Sequence, residues 1–245
     1  MPWLMSERPI LSIITVCFRD AKNLAATLES IKAVKQGGIE FVIVDGGSDD
    51  GTAELVQSYG ELVDTFISEP DKGTFDAMNK GIRHSRGKWV IFINAGDGIA
   101  DPAAFQSIKL TEYADAGLVY GNTVYAGRGE VKPYPEASLQ YGLIMACHQS
   151  MLFNRDILGD DIFYSERFPL VNEFDLVCRI VAKKHLRMYI DIPVAYFMGG
   201  GISSRISWEA RRARYFYVAQ HFGFRGLIMT GLESLGWLSL PARRK

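Results

Sequence analysis

The chain has 245 residues, 48% of them apolar, 22% charged and 12% aromatic, with a formal net charge of −1. That balance supplies a large core and excludes disorder, collagen-like repeats and coiled coil as the main architecture. The near-neutral total hides a basic tail: residues 205–245 hold eight basic residues against two acids, so the first 204 carry −7, which excludes a chain that coats nucleic acid.

The first half alternates two periods. LSIITV (11–16) is continuous, apolar and β-branched, the pattern of a buried strand. Leu24, Leu28, Ile31 and Val34 then recur at helical spacing and stop near Gly37-Gly38. FVIVD (41–45) predicts a second strand, followed by a Gly-rich turn and a helix from about Ala53 to Tyr59 that Asp49 or Asp50 can cap. LVDTFIS (62–68) predicts a weaker third strand. Phe75, Met78 and Ile82 mark a helix closed by Gly87, and WVIFIN (89–94) predicts a fourth strand. Beyond it, Asp101-Pro102 forms an N-cap and first-turn pair, and residues 118–135 alternate around Gly-Arg-Gly as a hairpin does. MLF, a helix over roughly 172–184, the segment 188–197 and a long helix from about Trp208 to Phe222 complete the chain. Strands alternating with helices require crossovers. The expected fold is therefore α/β, a mostly parallel sheet with helices on both faces, a mixed second half and a helical C-terminal appendage.

Ligands in such sheets bind beyond the carboxyl ends of the strands. Those ends carry Thr15, Asp45, residues 69–71 and residues 94–97, so polar groups collect on one rim, although each alone is also a common turn former. No GxGxxG follows the first strand, and GIRHSRGKW (81–89) lacks the spacing, the Ser/Thr and the preceding strand of a phosphate loop. No GxSxG or HExxH occurs, and the four histidines have no metal-ligand spacing. What remains is carboxylate and amide chemistry. A diphosphate site calls for a hard cation with oxygen ligands, and Asp97 is placed to supply one, with Gly96 allowing close backbone approach. Three distant cysteines (Cys17, Cys147, Cys178) offer neither a disulfide framework nor a zinc cluster and point to a reducing, cytoplasmic compartment. No signal peptide or spanning helix is expected.

LSIITVCFRD, FVIVDGGSDDGT, DKGTFDAMNKGI and GKWVIFINAGD, in this order and spacing, resemble the nucleotide-binding half of family 2 glycosyltransferases. HQSMLFNRDIL (148–158), NEFDLVCRI (172–180) and GGGIS (199–203) resemble the acceptor half, particularly of bacterial enzymes that build cell-surface polysaccharides. The resemblance spans about residues 9–205. It implies a GT-A domain over 1–204, donor half 9–100 and acceptor half 101–204, with 205–245 as the appendage. It further implies a nucleotide-diphosphate sugar donor (UDP-linked by preference), a divalent cation (Mg or Mn), a glycan or lipid-linked acceptor and inversion at the anomeric carbon.

Carried over by position, Thr15 and Asp45 match residues that hold the nucleotide. Asp71, Lys72, Asp76 and Asn79 match the nucleoside and phosphate side, with Lys72 either neutralising diphosphate or standing as a solvated loop lysine. The family's metal motif usually has acids where this chain has Asn94 and Gly96, leaving Asp97 as the metal carboxylate and Asn94 on the donor side. In NEFDL the general-base position holds Glu173. Asp175 is the rival; two residues along a helix it points about 200° away, and Arg179 at i+4 is a ready ion-pair partner. His148 and Gln149 belong to the acceptor or phosphate side, His148 equally being readable as a core histidine. Gly200 and Ser203 lie in a glycine-rich turn able to wrap a diphosphate or to serve as a plain turn. A non-catalytic nucleotide-sugar-binding or assembly protein is the alternative. A nucleotidyltransferase is disfavoured by the missing Gly-rich, Arg-containing loop. The basic, apolar tail is expected on an anionic membrane surface or packed on the body or a second subunit.

Overall fold

The computed structural model describes residues 8–168, 170–199, 207–237 and 242–243. Its centre is a nine-stranded sheet. Strands β1 (Leu11–Cys17), β2 (Ile39–Asp45), β3 (Thr65–Ser68) and β4 (Trp89–Phe92) lie parallel in the order 3-2-1-4. They alternate with helices α1 (Ala21–Lys32), α2 (Thr52–Ser58) and α3 (Thr74–His84). The apolar runs are continuous because both faces are covered. Ile13, Phe41, Ile43 and Trp89 pack toward Leu24, Leu28 and Ile31 of α1, whereas Ile14, Val42, Val44 and Phe92 pack toward Phe75, Met78 and Ile82 of α3.

The second half turns the sheet mixed. After the two-residue β5 (Gly98–Ile99), helix α4 (Pro102–Gln106) starts with Asp101 accepting from the Ala104 N–H at 3.0 Å. β6 (Ala116–Tyr125) forms the expected hairpin with β7 (Gly129–Val131). β8 (Met151–Asn154) is antiparallel to both β4 and β6, and β9 (Leu186–Phe197) runs parallel to β6. Between them stand α5 (Arg155–Leu158) and α6 (Asn172–Ala182).

Three local expectations change. The third strand starts at Thr65 and not Leu62, since Gly60–Leu62 forms a 3-10 turn and Asp64 takes the Phe41 N–H on its carboxylate at 2.7 Å. The Asp50 carboxylate serves two helices: it accepts from Ala21 N–H at 2.9 Å at the start of α1 and from Thr52 N–H at 3.3 Å at the start of α2. The C-terminal helix α7 (Trp208–Ser234) runs past Phe222 but breaks at Gly223, whose φ of 60° and ψ of −154° are not helical. Residues 224–234 fold back on 208–222, so Arg214 pairs with Glu233 at 2.8 Å, nineteen positions on. Gly226 sits in the crease, where a Cβ would press on Phe222 and Val218. The tail therefore packs on the body: α7 lies against α6 and residues 136–141, and Arg243 covers the Tyr134 ring at 3.9 Å. It nonetheless leaves Trp208, Phe224, Ile228, Leu235 and Trp237 exposed.

Gly81 places α3 on the sheet, for a Cβ there would drive into the Ile14 side chain. Gly81→Ala should cost about 1–3 kcal/mol through overpacking. Gly37→Ala, with open space around the added carbon, should be close to neutral, and urea midpoints compare the two.

Candidate active site

The carboxyl ends of β1 and β4, the start of α3, the turn before β8, the start of α6 and the end of β9 converge on one cleft of ≈ 410 Å³. Asp71, Asn94, Asp97, His148, Gln149 and Glu173 line it together, although they span more than 100 positions of sequence.

Asp97 is 6% exposed, and both of its oxygens are engaged. Oδ2 accepts from Gln149 Nε2 at 2.6 Å and Oδ1 from the Met198 N–H at 3.0 Å. Burial pushes its carboxyl up to about 6, against the opposing pull of those two donors. Gly96 beside it has φ +91°, and a Cβ there would meet Met198 Cε at 2.6 Å. Asn94 turns Nδ2 toward His148 Nε2 at 3.4 Å and leaves Oδ1 buried without a partner, a ready acceptor for a hydroxyl group.

Glu173 stands in the first turn of α6, and its placement has a structural cause. Val171 before that helix is left-handed (φ 62°, ψ 21°), a strained state for a β-branched residue. Asn172 fixes the turn: its Nδ2 donates to Ser165 O at 2.7 Å and to Phe168 O, and its Oδ1 accepts from Tyr217 Oη at 2.7 Å. Glu173 then faces the cleft with its side chain 15% exposed, and Oε1 lies 3.5 Å from His148 Nδ1. Burial pushes Glu173 up to about 7 and His148 down to about 4, each environment favouring the neutral form. Asp175 points the other way. It is buried, takes Arg179 at 3.0 Å and His221 at 2.8 Å, and thereby ties α6 to α7.

Several residues expected on the donor side have other surroundings. Thr15 is fully buried and donates to Ile93 O at 2.6 Å. Asp45, also fully buried, accepts from Ser48 N–H at 2.9 Å and Ser68 Oγ at 2.6 Å, so this strand-end carboxylate shapes its own loop. Asn79 clasps the Tyr164 backbone at 2.9 and 3.0 Å instead of facing the cleft. Asp76 closes the turn before α3 by accepting from Lys72 N–H at 2.9 Å, and Lys72 is exposed outside the cleft wall. Gly200 and Ser203 lie outside the described residues. Conversely, Phe18 and Asp20 after β1 and Phe197 and Met198 at the end of β9 line the cleft unexpectedly, while Gly199, the first glycine of the expected turn, lines it too. Their position just beyond strand ends was the available signal.

One carboxylate flanked by amides suits a hard cation of the magnesium type, which takes one or two carboxylates and fills its shell with phosphate oxygens and water. Each Asp97 oxygen accepts one protein hydrogen bond and keeps a lone pair. Among the described residues no group of three or more His, Cys, Asp or Glu forms a ready-made cage.

A parallel α/β half with its cleft beyond the strand ends, closed by a mixed second half, is an architecture that seats a ligand at the strand ends. Residues 12–161 match the model of glycosyl transferase family 2, and the chain belongs to that family. It is 29% identical over 209 residues to a PGL/p-HBAD biosynthesis glycosyltransferase of Mycobacterium bovis, covering 81% of this chain and 80% of the relative. Among solved structures it resembles S. aureus TarS 1–349 in complex with UDP-GlcNAc, with a TM-score of 0.70 at 15% identity over 93% of this chain and 73% of that one. It also resembles the mannosyltransferase PcManGT of Pyrobaculum calidifontis with GDP-Man and Mn2+, with a TM-score of 0.60 at 17% identity over 96% and 66%. The fold is GT-A.

Burial of Glu173 has a measurable cost. A carboxyl whose folded value lies above its unfolded value of 4.5 stabilises the fold below that pH and loses the contribution as pH rises through about 7. Glu173→Gln should therefore match wild type at pH 4.5 and be more stable at pH 8, by roughly 1–3 kcal/mol. Chemical denaturation at the two pH values reads the difference.

Proposed function

We propose that the protein is an inverting glycosyltransferase, moving a sugar from a nucleotide diphosphate to a hydroxyl of a glycan or lipid-linked acceptor in cell-surface polysaccharide synthesis. The carrying observation is that Glu173 and Asp97, two carboxyl groups in nearly dry surroundings, face the same cleft. Residues 1–204 form the catalytic domain in this reading, and 205–245 the appendage.

Asp97 would hold the divalent cation, which when bound supplies positive charge to the leaving diphosphate. Gln149 and the Met198 N–H keep that carboxylate aimed. Asp20, Asp71 and Phe18 offer the donor an acidic and aromatic rim. Glu173, ionised above about pH 7, takes the proton of the acceptor hydroxyl as it attacks the anomeric carbon from the face opposite the nucleotide. Inversion follows from one displacement, with no bond between sugar and enzyme.

The donor is a UDP-sugar by preference, as TarS was solved with UDP-GlcNAc. A panel of UDP-, GDP- and dTDP-sugars, read by thermal stabilisation and by hydrolysis with magnesium or manganese, identifies it. Asp97→Asn should lose the cation-dependent part of both signals. Glu173→Gln should keep donor binding and lose transfer by about 10²–10⁴-fold. Wild-type transfer should rise with pH up to about 7 and then level. Donor binding by wild type without turnover for any sugar would favour a binding or assembly role.

The appendage would bring the site to a membrane-borne acceptor from the cytoplasmic side. Phe224, Ile228, Leu235 and Trp237 are exposed along the returning arm of α7, with Arg211, Arg212 and Arg225 exposed nearby. Aromatic and basic groups together suit an anionic interface. No helix of the described residues is long and apolar enough to cross a membrane. The triple variant Phe224→Ser, Leu235→Ser, Trp237→Ser alters only exposed side chains. It should fail to sediment with phosphatidylglycerol vesicles that carry down the wild type; equal sedimentation of both proteins would remove the membrane role.

A further inference from the structure

We propose that His148 is a positioning residue: it joins Asn94 to Glu173 and presents its Nδ1–H to the Glu173 carboxylate, setting the orientation in which that group meets the acceptor. The inference rests on the reading of Glu173 as base. Its own support is the geometry of three side chains from three separate elements.

The His148 ring stands between the end of β4 and the first turn of α6, with Nε2 3.4 Å from Asn94 Nδ2 and Nδ1 3.5 Å from Glu173 Oε1. An amide nitrogen is only a donor, so the ring nitrogen facing it must be the acceptor. The single ring proton then sits on Nδ1, on the carboxylate side. The reverse arrangement would set the Nδ1 lone pair against an ionised carboxylate, repulsion with no bond in return. Asn94 thus selects the tautomer, and the tautomer selects the direction of Glu173. Contacts of this kind are long before substrate binds and shorten in the working complex.

The surroundings leave this role to His148. Among the described residues His148, Cys147 and Tyr164 are the titratable groups coupled to Glu173, with Asp20, Asp71 and Asp97 elsewhere on the cleft wall, and burial favours the neutral form of the first three. Arg179, the cation on the same helix, is committed to Asp175. Among the described side chains the His148 N–H is the dipole that joins the Glu173 backbone N–H at this carboxyl, and at 12% exposure water competes with it weakly. His148 is also seated firmly. It opens the 3-10 turn His148–Ser150, whose next residue, Gln149, grips Asp97 at 2.6 Å. One turn thereby carries the partners of both carboxyl groups.

The first test uses the protein alone. Long-range nitrogen–proton correlation spectra of the 15N-labelled chain at pH 8, with the signal assigned against His148→Gln, should show His148 as the Nδ1–H tautomer. In a Glu173→Ala background, where no carboxylate faces the ring, Asn94→Leu should turn it into a mixture. An Nε2–H ring in the wild type, or a tautomer indifferent to Asn94→Leu in that background, would overturn the proposal.

The second test takes UDP-GlcNAc first, then the donor that emerges from the panel, and follows turnover against pH. His148→Ala and His148→Gln should lower kcat by about 10–100-fold, the usual cost of an outer-shell partner, at unchanged donor KM. Their acid limb should move to higher pH, because a hydrogen bond to the ionised form is lost. His148→Asn, whose amide N–H reaches the place of Nδ1–H, should recover most of the rate. Wild-type kcat and pH limb in His148→Ala, with Glu173→Gln inactive, would remove the positioning role and leave the base in place. An active Glu173→Gln would instead remove the base assignment while the tautomer measurement stood.

Discussion

One carboxylate ties the two halves of this molecule together. Asp97 leaves the parallel half just beyond β4, and its oxygens reach Gln149, before β8, and the backbone of Met198, after β9. The cleft exists because those three segments are held edge to edge. Burying an ionisable group is expensive unless donors satisfy it, and here each oxygen has one. Each oxygen keeps a further lone pair and the residue lines the cleft, so fastening the walls and meeting a cation are compatible tasks for one side chain.

The second carboxyl of the cleft is positioned by a different principle. Glu173 has no ion-pair partner of its own among the lysines and arginines of the described residues; it is held by the backbone beneath it. The left-handed Val171 turns the chain, Asn172 nails the turn to residues 165–168 and to Tyr217 of α7, and Asp175 secures the next half-turn through Arg179 and His221. The C-terminal helix is thus part of the scaffold behind the Glu173 carboxyl. Strain at Val171 is stored at the turn that aims Glu173 into the cleft.

The parallel half was legible in the sequence because apolar runs and helical spacing are local signals. Leu24, Leu28 and Ile31 announce α1 without reference to anything distant, and Asp101-Pro102 announces α4. The hairpin at Gly127 was equally plain. What escaped depends on tertiary company. A strand-end aspartate looks the same whether it lines a cleft, as Asp71 and Asp97 do, or bonds nearby serines, as Asp45 does. Asn79 has the spacing of a site residue, but the Tyr164 backbone claims it across 85 positions. The reversal of α7 at Gly223 was hidden because the apolar pattern continues through it on both arms.

The loops after β1 and β2 are laced as tightly as a stitched seam. Asp50 accepts from Ala21, Ser48 accepts from the Arg19 N–H at 2.7 Å, and Arg19 pairs with Asp49 at 2.9 Å. Phe18 and Asp20, which line the cleft, are carried on that seam. Any engineer wishing to reshape this rim would have to transplant 18–21 and 46–52 as a matched set, since a foreign partner on either side would leave a helix uncapped and the rim unmoored.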